Sequence, residues 1–206
     1  MNKKLIQARK QFLGGLLLSI SCLIVIVVLQ WRVGAYGTVR LDMTISRHMG
    51  AEWWSALIFL GCNLVIAPII MRYIVGIWRW LKLPKIWLFL GILAVVGLVG
   101  LSFCPIGLFD QSVEELGVVS IFHQIFSRGM FMTMWFMALV TVVELWSVRR
   151  VRWWLLFLAY GAFYTTFFVA APAVLQPADL IFESIYLYGF FMALYLLPKR
   201  VDSDTI

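Results

Sequence analysis

Charged residues are scarce in this chain: Asp, Glu, Lys and Arg make up 13% of its 206 residues, whereas 63% are hydrophobic. Soluble domains carry about a quarter charged residues and are about half apolar. A water-soluble fold cannot cover this much apolar surface, so the composition predicts an integral membrane protein. The length suits one domain, and we predict a single transmembrane domain over residues 1–206.

The chain also lacks the short motifs that mark common active sites. It has no P-loop, GxGxxG, GxSxG or HExxH pattern, and His48 and His123 are its only histidines. A catalytic zinc takes three protein ligands and a water. The spacing of the two histidines does not indicate such a site, so we predict no metal and no other cofactor. Cys22, Cys62 and Cys104 form no CxxC pair and are predicted to be reduced packing residues.

Long apolar runs are what the sequence has instead. Each of six runs is close to the roughly 20 residues that cross a bilayer as a helix. We therefore predict an all-α polytopic membrane protein with six transmembrane helices, at about 12–31, 53–72, 86–104, 119–145, 154–174 and 180–197. In the second run, Asn63 predicts a hydrogen bond to another helix and Pro68 predicts a kink.

Lysine and arginine indicate the orientation of the bundle. The net charge is +7, and 13 of the 17 basic residues fall on one side of the predicted membrane. They are Lys3, Lys4, Arg9, Lys10, Arg72, Arg79, Lys82, Lys85, Arg149, Arg150, Arg152, Lys199 and Arg200. Because cytoplasmic loops are rich in these residues, we predict cytoplasmic N- and C-termini, in a bacterial inner membrane. The basic balance is thus a topology signal, and no nucleic-acid partner is predicted.

Tryptophan gives the same map independently. Of the ten tryptophans, only Trp135 lies in the middle of a predicted span. Three lie at outer helix ends and six at inner ends: Trp31, Trp53 and Trp54, and then Trp78, Trp80, Trp87, Trp146, Trp153 and Trp154. Tryptophan is enriched where its amphipathic ring meets the lipid headgroups. These nine residues are therefore predicted to form the two interfacial belts.

Arg128 interrupts the apolar pattern, because it lies inside the fourth predicted span. A charge at the centre of a membrane helix costs about 3 kcal/mol or more unless it finds a partner or water. His123 and Ser127 are four residues apart, as are Gln124 and Arg128, so each pair shares a helix face. Together these four side chains predict a polar flank on an otherwise apolar helix.

Two other predicted outer segments bring polar side chains to the same rim. Glu52 precedes the second span, and Asp179 and Glu183 begin the last one. We expect one of these acids to partner Arg128, either as a structural ion pair or as part of the wall of a ligand cavity. The predicted ligand-binding pocket consists of His48, Glu52, His123, Ser127, Arg128 and Glu183.

The layout resembles the DRAM/Sfk-type family of six-helix membrane proteins, which includes the FGF-receptor-activating-protein group, and related bacterial membrane families. A Ser-x-x-x-Gly element before the second span and a histidine that opens the fourth carry the resemblance. The matching positions are Ser46, His48, Gly50, Glu52, Pro105, His123 and Phe131. The resemblance covers most of the chain and implies a role in membrane-lipid handling, GPI-anchor remodelling or autophagy regulation. The chain departs from the family at Arg128 and at the pair Trp53-Trp54.

Two main classes of function are compatible with these residues. In the first, Arg128 holds the phosphate or carboxylate of a lipid headgroup or small amphiphile, and the protein is a sensor or accessory subunit. Its partners are then membrane lipids and a second copy or another membrane protein. The alternative is an intramembrane lipid hydrolase or transferase, with His123 as general base beside outer carboxylates. A small transporter subunit is a third class, although the inner half is poor in polar residues.

Overall fold

The chain is helical in every element of the computed structural model. The structure describes residues 3–32, 45, 48, 51–104, 118–146, 154–170 and 179–204. Six α-helices occupy these residues: α1 Lys3–Arg32, α2 Trp53–Leu81, α3 Lys85–Phe103, α4 Val118–Glu144, α5 Trp154–Ala170 and α6 Asp179–Asp204. Since no strand occurs within these ranges, the prediction of an all-α fold is confirmed for them.

A helix stands at each of the six predicted spans. Five of them, all except α5, are long and apolar enough to cross a membrane. Large apolar side chains are exposed on every helix, for example Leu17, Leu57, Phe89, Ile125, Leu156 and Ile185. Soluble monomers rarely expose contiguous apolar surface on this scale. The helices are therefore compatible with an integral membrane protein.

The six helices form a closed ring. Each helix packs against the next one along the chain, and α6 also packs against α1. The most extensive contact joins α3 and α4, and two glycines of α3 explain why. A Cβ at Gly97 would lie 2.8 Å from the Cβ of Met130, and one at Gly100 would overlap the ring of Phe126. Small residues at a membrane helix interface let the two backbones approach closely.

Tyr73 lies where α1, α2 and α6 meet. Its buried ring stacks on Phe12, with the ring centroids 4.4 Å apart, and its hydroxyl donates to the backbone oxygen of Leu194 at 3.1 Å. Arg9 donates from Nε to the backbone oxygen of Tyr195 at 3.0 Å, and its guanidinium lies over the Tyr195 ring. These contacts fasten the N-terminal half of α1 and the C-terminal half of α2 to α6.

Two tryptophans predicted for the inner interfacial belt lie in the core instead. Trp87 is fully buried, and its Nε1–H donates to the hydroxyl of Thr141 at 2.8 Å, which links α3 to α4. Trp154 is also buried and packs edge-on against Phe190. The prediction is wrong for these two because their rings turn toward a neighbouring helix, whereas Trp53 is exposed.

The polar residue predicted to act within α2 does form a bond to another helix. Asn63 Nδ2 donates to the hydroxyl of Ser102 on α3 at 2.7 Å, and both side chains are buried. This interhelical hydrogen bond is confirmed. The helix continues through Pro68 as far as Leu81. It ends at Lys82, whose left-handed backbone (φ 53°) lets its N–H bond to the carbonyl oxygen of Trp78.

Candidate functional site

His48 is held by the side chain of Gln30 near the C-terminal end of α1. The Nδ1 atom of His48 lies 2.8 Å from Oε1 of Gln30, and Nε2 of Gln30 donates to the backbone oxygen of His48. Since an amide oxygen can only accept, Nδ1 of His48 carries the proton in this pair. Both side chains are almost completely buried. The Gln30 amide thus holds the segment before α2 by two hydrogen bonds to His48.

Glu183 of α6 binds the same segment. Its Oε2 accepts a hydrogen bond from the backbone N–H of Ile45 at 2.6 Å, and only 7% of the residue is exposed. Because a buried carboxylate needs hydrogen bonds or an ion pair to compensate for lost hydration, this contact is part of what the fold requires. Glu183 and Gln30 thus tie the α1–α2 connection to α6 and α1.

Glu52 lies at the N-terminus of α2 and is half-buried. Its backbone N–H donates to the hydroxyl of Ser55 at 3.2 Å, and that hydroxyl donates to the Glu52 carbonyl oxygen at 2.7 Å. A polar residue three positions into a helix commonly satisfies the N-terminal backbone in this way. The position of Glu52 is therefore explained by helix capping.

His123 lies on the side of α4 that meets α3. Its Nδ1 is 2.7 Å from the backbone oxygen of Cys104, and the residue is 3% exposed. Because a carbonyl oxygen only accepts, Nδ1 is the protonated nitrogen here as well. His123 therefore covers the C-terminal end of α3, where Cys104 follows Phe103, and satisfies one of the carbonyl groups that a helix end leaves free.

Arg128 lies on a different side of α4. It is exposed, as is Gln124 one turn earlier, while Ser127 is half-buried. Among the described residues, no ion pair or hydrogen bond joins Arg128 to Glu183 or to Glu52. No acid that partners Arg128 is thus found among the described residues, where the arginine is exposed. The side chain of Asp179 lies outside the described residues.

The six residues predicted to form one pocket therefore occupy four settings. His48 and Glu183 hold the segment before α2, Glu52 caps α2, and His123 covers the end of α3. Arg128 lies on the outer side of α4, with Ser127 half-buried beside it. The structure brings His48 and Glu183 to one segment but does not add Arg128 to them. Ligand binding by these side chains stays a prediction.

A small internal cavity lies between α1, α2, α3 and α6. Ser19, Asn63 and Tyr188 supply its polar atoms, and the side chain of Ile45 is part of its apolar wall. The hydroxyl groups of Ser19 and Tyr188 are 3.1 Å apart. The space left for the centres of water molecules is about 20 Å³, which is room for about one water. The cavity as it stands does not hold a lipid headgroup.

The contacts that sequence reasoning missed are those of Gln30, Ser19 and Tyr188. Each is a polar residue inside an apolar run, which is a signal that the sequence does contain. The signal is weak because hydroxyl and amide groups carry no charge and cost less in a membrane than Arg128 does. Within the described ranges, no three His, Cys, Asp or Glu side chains lie close enough to hold a metal ion together.

Comparison with known proteins returned no match to a family model, to a curated protein or to a solved structure. The resemblance to the DRAM/Sfk-type family therefore stays a prediction.

Proposed function

We propose that this protein is a non-catalytic membrane protein that binds the anionic headgroup of a lipid or small amphiphile through Arg128, as a sensor or accessory subunit. The observation that supports the proposal is the exposed position of Arg128 among exposed apolar side chains, such as Ile125 and Met132 on the same helix. A guanidinium in that setting has hydrocarbon around it and needs an anion or water from outside the bundle. Gln124, exposed one turn earlier, adds an amide donor.

Arg128 lies at a depth from which its side chain can reach a lipid headgroup at the membrane interface. The 27 residues of α4 span about 40 Å, against a hydrocarbon core of about 30 Å. If the helix is centred, the Cα of Arg128 lies about 10 Å below the nearer hydrocarbon boundary. A long arginine side chain directs its charge toward the interface from such a depth. A phosphate is the group that its planar fork of donors matches best.

Four of the other predicted site residues bond within the protein, which leaves Arg128 as the candidate contact for a ligand. His48, Glu52, His123 and Glu183 each have hydrogen-bond partners within the chain. We therefore assign the headgroup contact to Gln124 and Arg128 on the outer side of α4, with the half-buried Ser127 beside them. The proposal keeps six membrane spans with both termini in the cytoplasm of a bacterial cell, since the basic residues favour that orientation. Arg128 then faces the outer leaflet.

Lipid binding by variants in detergent solution tests the proposal. Native mass spectrometry would compare phosphatidylglycerol with phosphatidylcholine of the same acyl chains, using wild type and Arg128→Gln. One arginine near an anionic surface contributes about 1 kcal/mol, so we expect the variant to bind phosphatidylglycerol about fivefold more weakly. Binding of phosphatidylcholine should not change.

Arg72→Gln is the matched control, because Arg72 is an exposed arginine of α2 and the substitution removes the same charge. This control should keep the affinity of wild type for phosphatidylglycerol. Equal binding by wild type and Arg128→Gln would overturn the proposal, as would equal losses in the two variants. A stoichiometric zinc-sized adduct on the purified protein would overturn its non-catalytic part and direct attention to a hydrolase.

A further inference from the structure

Helix α6 has a proline in its interior. Pro198 lies six residues before the end of the helix at Asp204. Because proline has no N–H group, residue 198 cannot donate to the carbonyl oxygen four positions earlier, which is that of Leu194. Leu194 and Leu197 are both fully buried, and a buried carbonyl group has to be paired within the protein. The Leu194 oxygen therefore needs a donor from another part of the chain.

Side chains of two neighbouring helices reach this point of α6. The hydroxyl of Tyr73 on α2 donates to the Leu194 oxygen at 3.1 Å and is 3.3 Å from the oxygen of Tyr195. Nε of Arg9 on α1 donates to the same Tyr195 oxygen at 3.0 Å, and its guanidinium lies 4.2 Å from the centroid of the Tyr195 ring. Two donors thus converge on two consecutive carbonyl groups, one turn before Pro198.

The position of the Tyr73 hydroxyl is fixed by aromatic packing. Tyr73 is fully buried and stacks on Phe12 of α1, which in turn packs edge-on against Phe191 of α6. A helix kinks most often at a proline, and membrane helices tolerate proline where neighbouring helices satisfy the freed backbone groups. Tyr73 supplies that bond for Leu194.

We propose that α6 is hinged at Pro198 and that Arg9 and Tyr73 form the latch that keeps the hinge closed. In the closed state, the Tyr73 hydroxyl replaces the helix hydrogen bond that proline removes, and Arg9 holds the next carbonyl group. When the latch is released, α6 bends at Pro198 and the segment 199–204 changes its direction. The hinge is independent of headgroup binding at Arg128, which lies on α4.

A double-mutant cycle between Tyr73 and Pro198 tests the latch. Tyr73→Phe removes only the hydroxyl group and should raise the unfolding equilibrium constant in an SDS titration about fivefold, as expected for one lost buried hydrogen bond. In Pro198→Ala, the N–H of residue 198 is restored and bonds to the Leu194 oxygen. Tyr73→Phe should then raise the constant less than about twofold. Equal effects in the two backgrounds would overturn the proposal.

Tyr160→Phe is the matched control for the cycle. The Tyr160 hydroxyl also donates to a carbonyl oxygen of α6, that of Phe182, at 3.0 Å. Four positions after Phe182 stands Tyr186, which keeps its N–H for the regular helix bond. Tyr160→Phe should therefore have the same effect with and without Pro198→Ala. If its effect depends on Pro198 as strongly as that of Tyr73→Phe does, the specific role of Tyr73 is disproved.

Hydrogen exchange, read from peptide masses, tests the movement of the segment itself. In a regular helix, the N–H groups of residues 199–201 bond to the carbonyl groups of residues 195–197, across the hinge. These amides should exchange about fivefold faster in Tyr73→Phe and in Arg9→Met than in wild type. Lys10→Met removes the same charge at the neighbouring exposed position and should leave their exchange unchanged.

Unchanged exchange of these amides in both latch variants would overturn the hinge. Equal acceleration by Lys10→Met and Arg9→Met would overturn the role of Arg9. If Pro198→Ala does not fold, the exchange of Tyr73→Phe compared with that of Tyr160→Phe decides the matter, since only the first should accelerate residues 199–201.

Discussion

The two sides of α4 satisfy their polar groups in opposite ways. On the side that meets α3, His123 and Thr141 are buried and have hydrogen-bond partners within the chain. On the outer side, Gln124 and Arg128 are exposed beside apolar side chains such as Ile125. A buried polar group has to be satisfied by the protein, whereas one that faces lipid has to be satisfied by the membrane or a partner. The first group therefore stabilises the fold, and the second is the one to which we assign the ligand in the proposed function.

The close approach of α3 and α4 is the feature whose loss should have the largest effect. In Gly97→Ala, the new methyl group would lie 2.8 Å from the Cβ of Met130 and 3.1 Å from the backbone oxygen of Phe126. Neither atom is the end of a flexible side chain, so the helices have to move apart. Overpacking of this kind costs about 1–3 kcal/mol, and we expect about 2 kcal/mol in the free energy of unfolding. Unfolding in mixed micelles of increasing SDS content measures it.

Gly129→Ala is the control for this substitution on the outer side of α4. Apart from its chain neighbours and the backbone of α4, no atom lies within 4 Å of a Cβ built at Gly129. Alanine also favours a helix more than glycine does, by about 1 kcal/mol. The control should therefore be neutral or slightly stabilising. Equal destabilisation by the two variants would contradict the assignment of a packed and an outer side to α4.

Replacement of His123 should have an intermediate effect. His123→Leu keeps apolar bulk against α3 but leaves the backbone oxygen of Cys104 without its bond. A lost buried hydrogen bond costs about 1 kcal/mol, and we expect destabilisation of that size by the same SDS titration. Gln124→Leu, the neighbouring exposed position, should change stability little. A larger effect from Gln124→Leu than from His123→Leu would show that the sides of α4 are assigned the wrong way round.

The sequence predicted the helices well because their cause is local. A run of apolar residues in a membrane has to satisfy its backbone within itself, so each of the six runs became a helix. The sequence also predicted that Asn63 bonds to another helix, since an amide in such a helix needs a donor or acceptor from outside it. Its partner was not foreseeable, because Ser102 is 39 residues away in the chain.

The rotation of each helix is what the sequence could not provide. In a soluble protein, polar residues show which side of a helix faces water. In a membrane protein, the lipid and the core are both apolar, so the pattern around α4 does not say whether Arg128 points inward or outward. The same ambiguity explains why Trp87 and Trp154, at helix ends as predicted, turned out to be buried. The contact between Gln30 and His48 joins residues 18 positions apart in the chain, and no periodic pattern predicts it.

Replacement of Arg128 should have the smallest effect on stability, although its charge is the least expected feature of the chain. Arg128→Leu removes no ion pair or hydrogen bond among the described residues, and substitutions at such exposed positions usually change stability by less than about 0.5 kcal/mol. We expect that result from the SDS titration, together with weaker binding of phosphatidylglycerol. If Arg128→Leu instead unfolds the bundle and a second substitution, Glu183→Gln, restores it, the two residues form a structural pair. The outer side of α4 would then belong to the packed protein, and the comparison between its two sides would fail.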